Sequence, residues 1–150
     1  MPTFSIKALK VARFASEETL CFKASVFLDG KRLGTASNEG HGGPNLYDFK
    51  VTGETQVAAL AYAKEHVEWW EDSFEATSEV LDSVIGDLID KVEEAKTIKR
   101  WTKTKVLFRL KGDPDDGSYR TLAHNGDRTA AVVWINNKYG AKVTTVIGGV

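Results

Sequence analysis

One cysteine among 150 residues rules out a disulfide framework, and with only three histidines, at 41, 66 and 124, it leaves too few ligands for a structural zinc site. No apolar run approaches the roughly 18–20 residues that a membrane span needs. Residues 1–13 intersperse Lys7, Lys10 and Arg13 among apolar positions, which excludes the continuous apolar block of a signal peptide. A Walker-type Gly-Lys-Ser/Thr ending, a dinucleotide fingerprint and a Gly-x-Ser-x-Gly elbow are all missing. Repeats, low-complexity tracts and linkers are missing too. These absences point to a soluble, cytoplasmic chain with no membrane partner. A single domain over residues 1–150 is long enough to bury roughly two thirds of its unfolded surface.

What is present is unevenly spread. Residues 54–95 carry two bases against twelve acids, whereas residues 96–150 carry eleven bases against four acids. The net charge of −1 therefore hides a dipolar chain whose ends suit partners of opposite sign.

Phe4, Ile6 and Ala8 alternate with polar or basic neighbours and predict a first strand; residues 20–28 predict a second. Asp29-Gly30 suits a tight hairpin turn, which returns residues 31–37 as a third strand, with a short fourth over 46–51. Two helices follow. The first places Val57, Leu60, Ala61, Val67 and Phe74 on one stripe and Tyr62, His66 and Trp69 or Trp70 on another. The second, capped by Thr77 or Ser78, repeats Leu81, Val84, Ile85, Leu88, Val92 and Ala95, with acids such as Glu79, Asp82, Asp87 and Asp90 turned outward. From Thr104 the period returns to two, with Val106, Phe108 and Leu110 on one face. A turn over 112–117 leads to a partner strand over 119–122. Residues 128–140 fit a helix ended by Gly140, or else one arm of a hairpin; the helix is preferred, with a last strand over 141–147. The expected fold is α+β: an antiparallel sheet built from an N-terminal β-meander and later strands, packed against two to three helices.

Two segments carry candidate chemistry. The first is Asn38-Glu39-Gly40-His41-Gly42-Gly43-Pro44-Asn45. Three glycines in four positions suit a backbone that only glycine can follow, and successive amides there can form a nest for an anion. Asn38, His41 and Asn45 add side-chain donors suited to a nucleotide. A purely structural turn is the competing reading. The second is the basic stretch of Lys96, Lys99, Arg100, Lys103, Lys105, Arg109 and Lys111, with Trp101 and Phe108 interleaved. Cations for phosphates beside aromatic platforms are what a nucleotide or single-stranded nucleic acid requires. Pairing with the acidic helices is the alternative, though exposed pairs contribute only about 0–1 kcal/mol each. The candidate ligand-binding residues are thus Asn38, Gly40, His41, Gly42, Gly43, Asn45, Lys103, Lys105 and Arg109, with no cofactor and no metal.

Catalytic constellations are thin. His41 could act as a general base oriented by Glu39 or Asp48, but Ser16 and Ser37 are ordinary turn or strand serines. Cys21 reads as a small core residue. His66 reads as packed with Tyr62 and Trp70.

The stretches 15–22, Leu28-Asp29-Gly30 and 38–45, with 103–112 and Lys138-Tyr139-Gly140, resemble a family of small uncharacterised proteins from bacteriophages and mobile elements. The Glu-Gly-His-Gly-Gly run is the most specific part. The resemblance covers about a fifth of the chain and brings no catalytic residues with it. It implies an accessory protein that works by binding in the host cell cytoplasm, to disarm a host defence or redirect a host enzyme.

Three functions follow as expectations. The leading one is a non-enzymatic protein that binds an anionic small molecule or nucleotide, sequestering a host defence signal. The second is a protein-interaction inhibitor whose acidic helices mimic nucleic acid and occupy a host protein. The third is a small His-dependent hydrolase or nuclease built on His41. Self-association into a homo-oligomer is left open.

Overall fold

The computed structural model describes residues 2–67 and 75–148. Trp69, Trp70 and Phe74, assigned above to helix faces, lie outside the described residues. The chain divides into two compact units, Met1–Val92 and Glu93–Val150.

The first unit begins with the expected meander. Strands β1 (Phe4–Val11), β2 (Phe22–Leu28), β3 (Lys31–Asn38) and β4 (Leu46–Tyr47) lie side by side in chain order, every pair antiparallel. The β2–β3 turn has Asp29 and Gly30 both at positive φ (51° and 80°), as the Asp-Gly dipeptide led one to expect. Along β2, Phe22, Ala24 and Val26 are buried and lie opposite Asn38, Ala36 and Gly34 of β3. Cys21 sits just before β2 and is half-buried rather than in the core.

Helix α1 (Gly53–His66) is capped by the Thr52 hydroxyl, which accepts from the Thr55 N–H. Its buried stripe is Thr55, Ala59, Tyr62 and Ala63, and Val57 is 60% exposed. Of the expected stripe, Val67 is buried and Leu60 packs against the core, but Val57 faces solvent. Alanine and apolar residues occur all round this helix, so their spacing does not single out the buried side. Tyr62 packs edge-on against Phe4, ring centroids 5.8 Å apart, and stacks on His66 at 4.3 Å. Helix α2 (Ser78–Trp101) starts where the Thr77 carbonyl accepts its first backbone bonds. Val80, Leu81, Val84, Ile85 and Ile89 join the first unit's core, while Ala95 is exposed.

The second unit holds β5 (Lys105–Leu110), β6 (Arg120–Ala123), α3 (Arg128–Tyr139) and β7 (Val143–Ile147). These strands form an antiparallel sheet of their own, in the order β6-β5-β7, rather than extending the first. Val106 and Phe108 pack with Ala131 and Ile135 of α3. The helical reading of residues 128–140 holds: the Asp127 carboxylate accepts from the Ala130 N–H, and Gly140 ends the helix at φ +55°. The α+β class stands, with seven strands in two sheets and three helices among the described residues. None of the described helices is long and apolar enough to cross a membrane.

Candidate functional site

The glycine-rich loop is organised around one buried side chain. Asn38, at the end of β3, is 6% exposed. Its Oδ1 accepts from the Thr19 hydroxyl at 2.6 Å and from the Gly40 N–H at 2.9 Å. Its Nδ2 donates to the Gly43 carbonyl and to Asn45 Oδ1, both at 3.3 Å. All four of its bonding positions are thereby used. The Gly40 carbonyl accepts from the N–H groups of Glu17, Glu18 and Thr19, and the Thr19 oxygen accepts from the Gly42 N–H.

The glycines follow from this closeness. Gly40 sits at φ +89°, where a Cβ would lie 2.1 Å from the Ala15 carbonyl oxygen; at Gly42 (φ +93°) it would lie 2.6 Å from Glu18 Oε2. The loop brings Asn38, Gly40, His41, Gly42, Gly43 and Asn45 together, but the amides of Gly40, Gly42 and Asn45 donate to protein acceptors. They are not the donors an incoming anion would meet. His41 lies outside the network, its Nδ1 3.1 Å from Glu17 Oε2, both side chains about two-thirds exposed. Its carboxylate neighbour is Glu17, rather than the Glu39 or Asp48 expected from sequence proximity.

Beside this loop the first unit has a cleft of about 240 Å³. The loop supplies Asn38, Gly43 and Asn45; Thr19, Leu20 and Phe22 supply one wall; and α2 supplies Asp82, Gly86, Ile89 and Asp90. Asp82, Gly86 and Asp90 form an i, i+4, i+8 row on one helix face. Asp82, expected to face outward, is instead engaged: its Oδ1 accepts from the Tyr47 hydroxyl at 2.5 Å and its Oδ2 from the Asn45 N–H at 3.3 Å. Burial raises the Asp82 carboxyl above its ordinary pKa, and these two bonds partly offset the rise. Burial, then the hydrogen bond to Asp82, holds the Tyr47 phenol far above its ordinary range. Asp90 is raised by burial and then by the nearby Asp87 charge.

In the second unit the basic row splits in two. Arg109 is taken up by the β5–β6 turn: it donates to Asp115 Oδ1 at 2.9 Å and to the Ser118 carbonyl, and its guanidinium lies 4.1 Å from the centre of the Tyr119 ring. Arg120 is likewise held, donating through two nitrogens to the Asp113 carboxylate. That contact, with the Leu110 N–H, lowers the Asp113 carboxyl to about 2. Phe108, expected as a stacking platform, is 4% exposed and belongs to the core; Trp101 is 37% exposed.

Lys103 and Lys105 are exposed and have no ion pair among the described residues. They line a pocket of about 390 Å³ with Thr104 and residues 123–126. His124 is part of that lining. The Gly126 N–H donates to its Nδ1 at 3.0 Å, so Nε2 carries the proton and faces the Thr102 carbonyl at 3.3 Å. Both ring nitrogens thus face backbone groups. Sequence reasoning placed His124 only in a loop and Asp82 and Asp90 only among the outward acids of the second helix, and it did not single out Tyr47 or Gly86. A glycine inside a long helix was the one available signal for the α2 row. No group of three or more His, Cys, Asp or Glu among the described residues could hold a metal ion.

The chain matches no protein-family model, no curated protein and no solved structure.

Proposed function

We propose that this chain is a binding protein for an anionic, nucleotide-like ligand, and that the ligand's phosphate is held in the second unit by Lys103 and Lys105. One observation carries this reading: those two lysines line a pocket of about 390 Å³ that has no carboxylate in its lining. The volume falls within the range of about 300–1,000 Å³ usual for small-ligand pockets. Nearby Arg109 and Arg120 are neutralised by Asp115 and Asp113, so the pocket's two free cations are the ones an anion would find. Asn125 and the backbone around Gly126 add polar groups for a sugar or base.

Binding without turnover fits the same residues, because His124 is committed to Gly126 and Thr102. The resemblance to small phage proteins adds the biological role: sequestration of a host signalling nucleotide. The acidic-mimic alternative has less behind it, since Asp82, Asp87 and Glu93 are engaged by Tyr47, Lys91 and Lys96.

A panel of cyclic and linear nucleotides tests the proposal by thermal shift. A ligand that selects the folded state raises the melting temperature with concentration. No shift across the panel removes the reading.

A further inference from the structure

We infer that the open face of the first unit's sheet is a platform for single-stranded RNA, with phosphates at Lys7, Lys10, Lys23 and Arg32 and a base on Phe27. Phe22, Ala24 and Val26 of β2 point into the core, so Lys23, Ser25 and Phe27 between them point the other way. The register sets Lys10 directly opposite Lys23, and Arg32 directly opposite Phe27, on that open face. Lys7 reaches the same face, its ammonium 4.8 Å from the centre of the Phe27 ring. Strands β1, β2 and β3 carry five cations and no acid. Asp48, just past β4, donates its N–H to the Thr35 carbonyl, so acids begin only at the β3–β4 edge.

Stability does not ask for this arrangement. Like charges directly opposite on paired strands weaken a sheet, whereas an acid in either place would support it. Lys10 and Lys23 nevertheless face each other across the β1–β2 ladder. All four cations are exposed, and none has an ion pair among the described residues. A polyanion laid across the strands supplies the missing partner.

The other residues of the face decide which polyanion. Phe27 gives a ring on which an unpaired base stacks, and the Lys7 ammonium that covers it in the free protein passes to the adjoining phosphate. A duplex keeps its base faces to itself and gains nothing from that ring. A lipid surface needs protruding apolar groups, whereas Phe27 lies within the sheet. Ser5, Ser25, Thr35 and Ser37 fill the remaining places, and their hydroxyls make no hydrogen bond among the described residues. A hydroxyl both donates and accepts, as the ribose 2′-hydroxyl requires. The face spans about 13 Å along β2 and about 10 Å across three strands. That is room for the two or three bases a sheet platform holds.

The test is fluorescence anisotropy of the full chain with a labelled oligo(U) of about 12 nucleotides. Oligo(dU) of the same length, an RNA duplex and phosphatidylserine vesicles are the competitors. Oligo(U) is expected to bind more tightly than all three, with a log–log salt slope of about −3 from four phosphates. Lys10→Gln/Lys23→Gln is expected to weaken it about tenfold and to halve the slope, while raising the melting temperature by removing the repulsion. Phe27→Leu is expected to weaken it about tenfold at unchanged slope. Lys99→Gln/Lys111→Gln, an equal charge loss at exposed positions of the second unit, is expected to bind like the parent. Absence of oligo(U) binding, equal or tighter binding of any competitor, or equal losses in the two lysine variants overturns the proposal. Mononucleotides are titrated separately against Lys103 and Lys105, so failure at one site is distinguishable from failure at the other.

Discussion

The Thr19 hydroxyl donates to Asn38 Oδ1 across 2.6 Å, and the same Thr19 oxygen accepts from the Gly42 N–H. This pair ties the segment after β1 to the glycine-rich loop after β3. The amides of Gly40 and Gly42 are thereby given internal acceptors. Loop rigidity, and with it one wall of the cleft, rests on this contact.

Asn38→Ala removes two acceptor and two donor contacts inside a buried network. The expected loss is about 2–4 kcal/mol of unfolding free energy, because the Gly40 N–H and the Thr19 O–H both lose their acceptor. Thr19→Val is expected to cost less, about 1 kcal/mol. Urea denaturation of the three proteins measures both values. An Asn38→Ala protein as stable as the parent would show that the network contributes nothing.

Gly86→Ala works in the opposite direction. The helix gains about 0.5–1 kcal/mol from the propensity difference, and no neighbour obstructs the added methyl. Chemical denaturation is expected to show a higher midpoint at unchanged slope. A destabilised variant would mean that α2 or its surroundings pack more tightly at this position.

The buried Tyr47 phenol makes a prediction at alkaline pH. Its folded pKa is raised above the unfolded value near 10, so the unfolded chain releases a proton that the folded chain keeps. Stability therefore falls as pH rises past about 10. Tyr47→Phe removes this contribution, and the stability difference between parent and variant should narrow from pH 8 to pH 11. A constant difference across that range would contradict the assigned burial.

Asp113 has the reverse sign. Its pKa is lowered, first by the Arg120 hydrogen bonds, to about 2. Its contribution is present above the ordinary carboxylate value and is lost as pH falls toward about 2. Carboxyl NMR titration should find the Asp113 midpoint well below those of unpaired aspartates. Arg120→Ala should return it toward the ordinary range.

Much of the fold was legible because its signals are local. The Asp29-Gly30 turn, the period-two strands and the α3 ends at Asp127 and Gly140 each sit within a few residues of what they control. The buried side of α1 was not legible, since Ala59 and Ala63 differ little in character from Ala58 and Ala61. Asp82 could not be distinguished from its solvated neighbours, because its partners Tyr47 and Asn45 lie 35 and 37 residues away in the chain. Arg109 aligned with Lys105 by strand period, but the six-residue reach to Asp115 across a turn takes it out of the row. The basic composition was therefore readable, and the allocation of its charges was not.

Calorimetric titration with nucleotides, comparing the parent protein with Lys103→Ala/Lys105→Ala, tests the central claim most directly. Both lysines are exposed, so the double variant keeps the fold, and its circular dichroism should match the parent's. The account predicts saturable nucleotide binding by the parent, weakened at least about tenfold in the double variant and in the parent at raised salt. Nucleotide binding of equal strength in both proteins, or no heat from either, would contradict it.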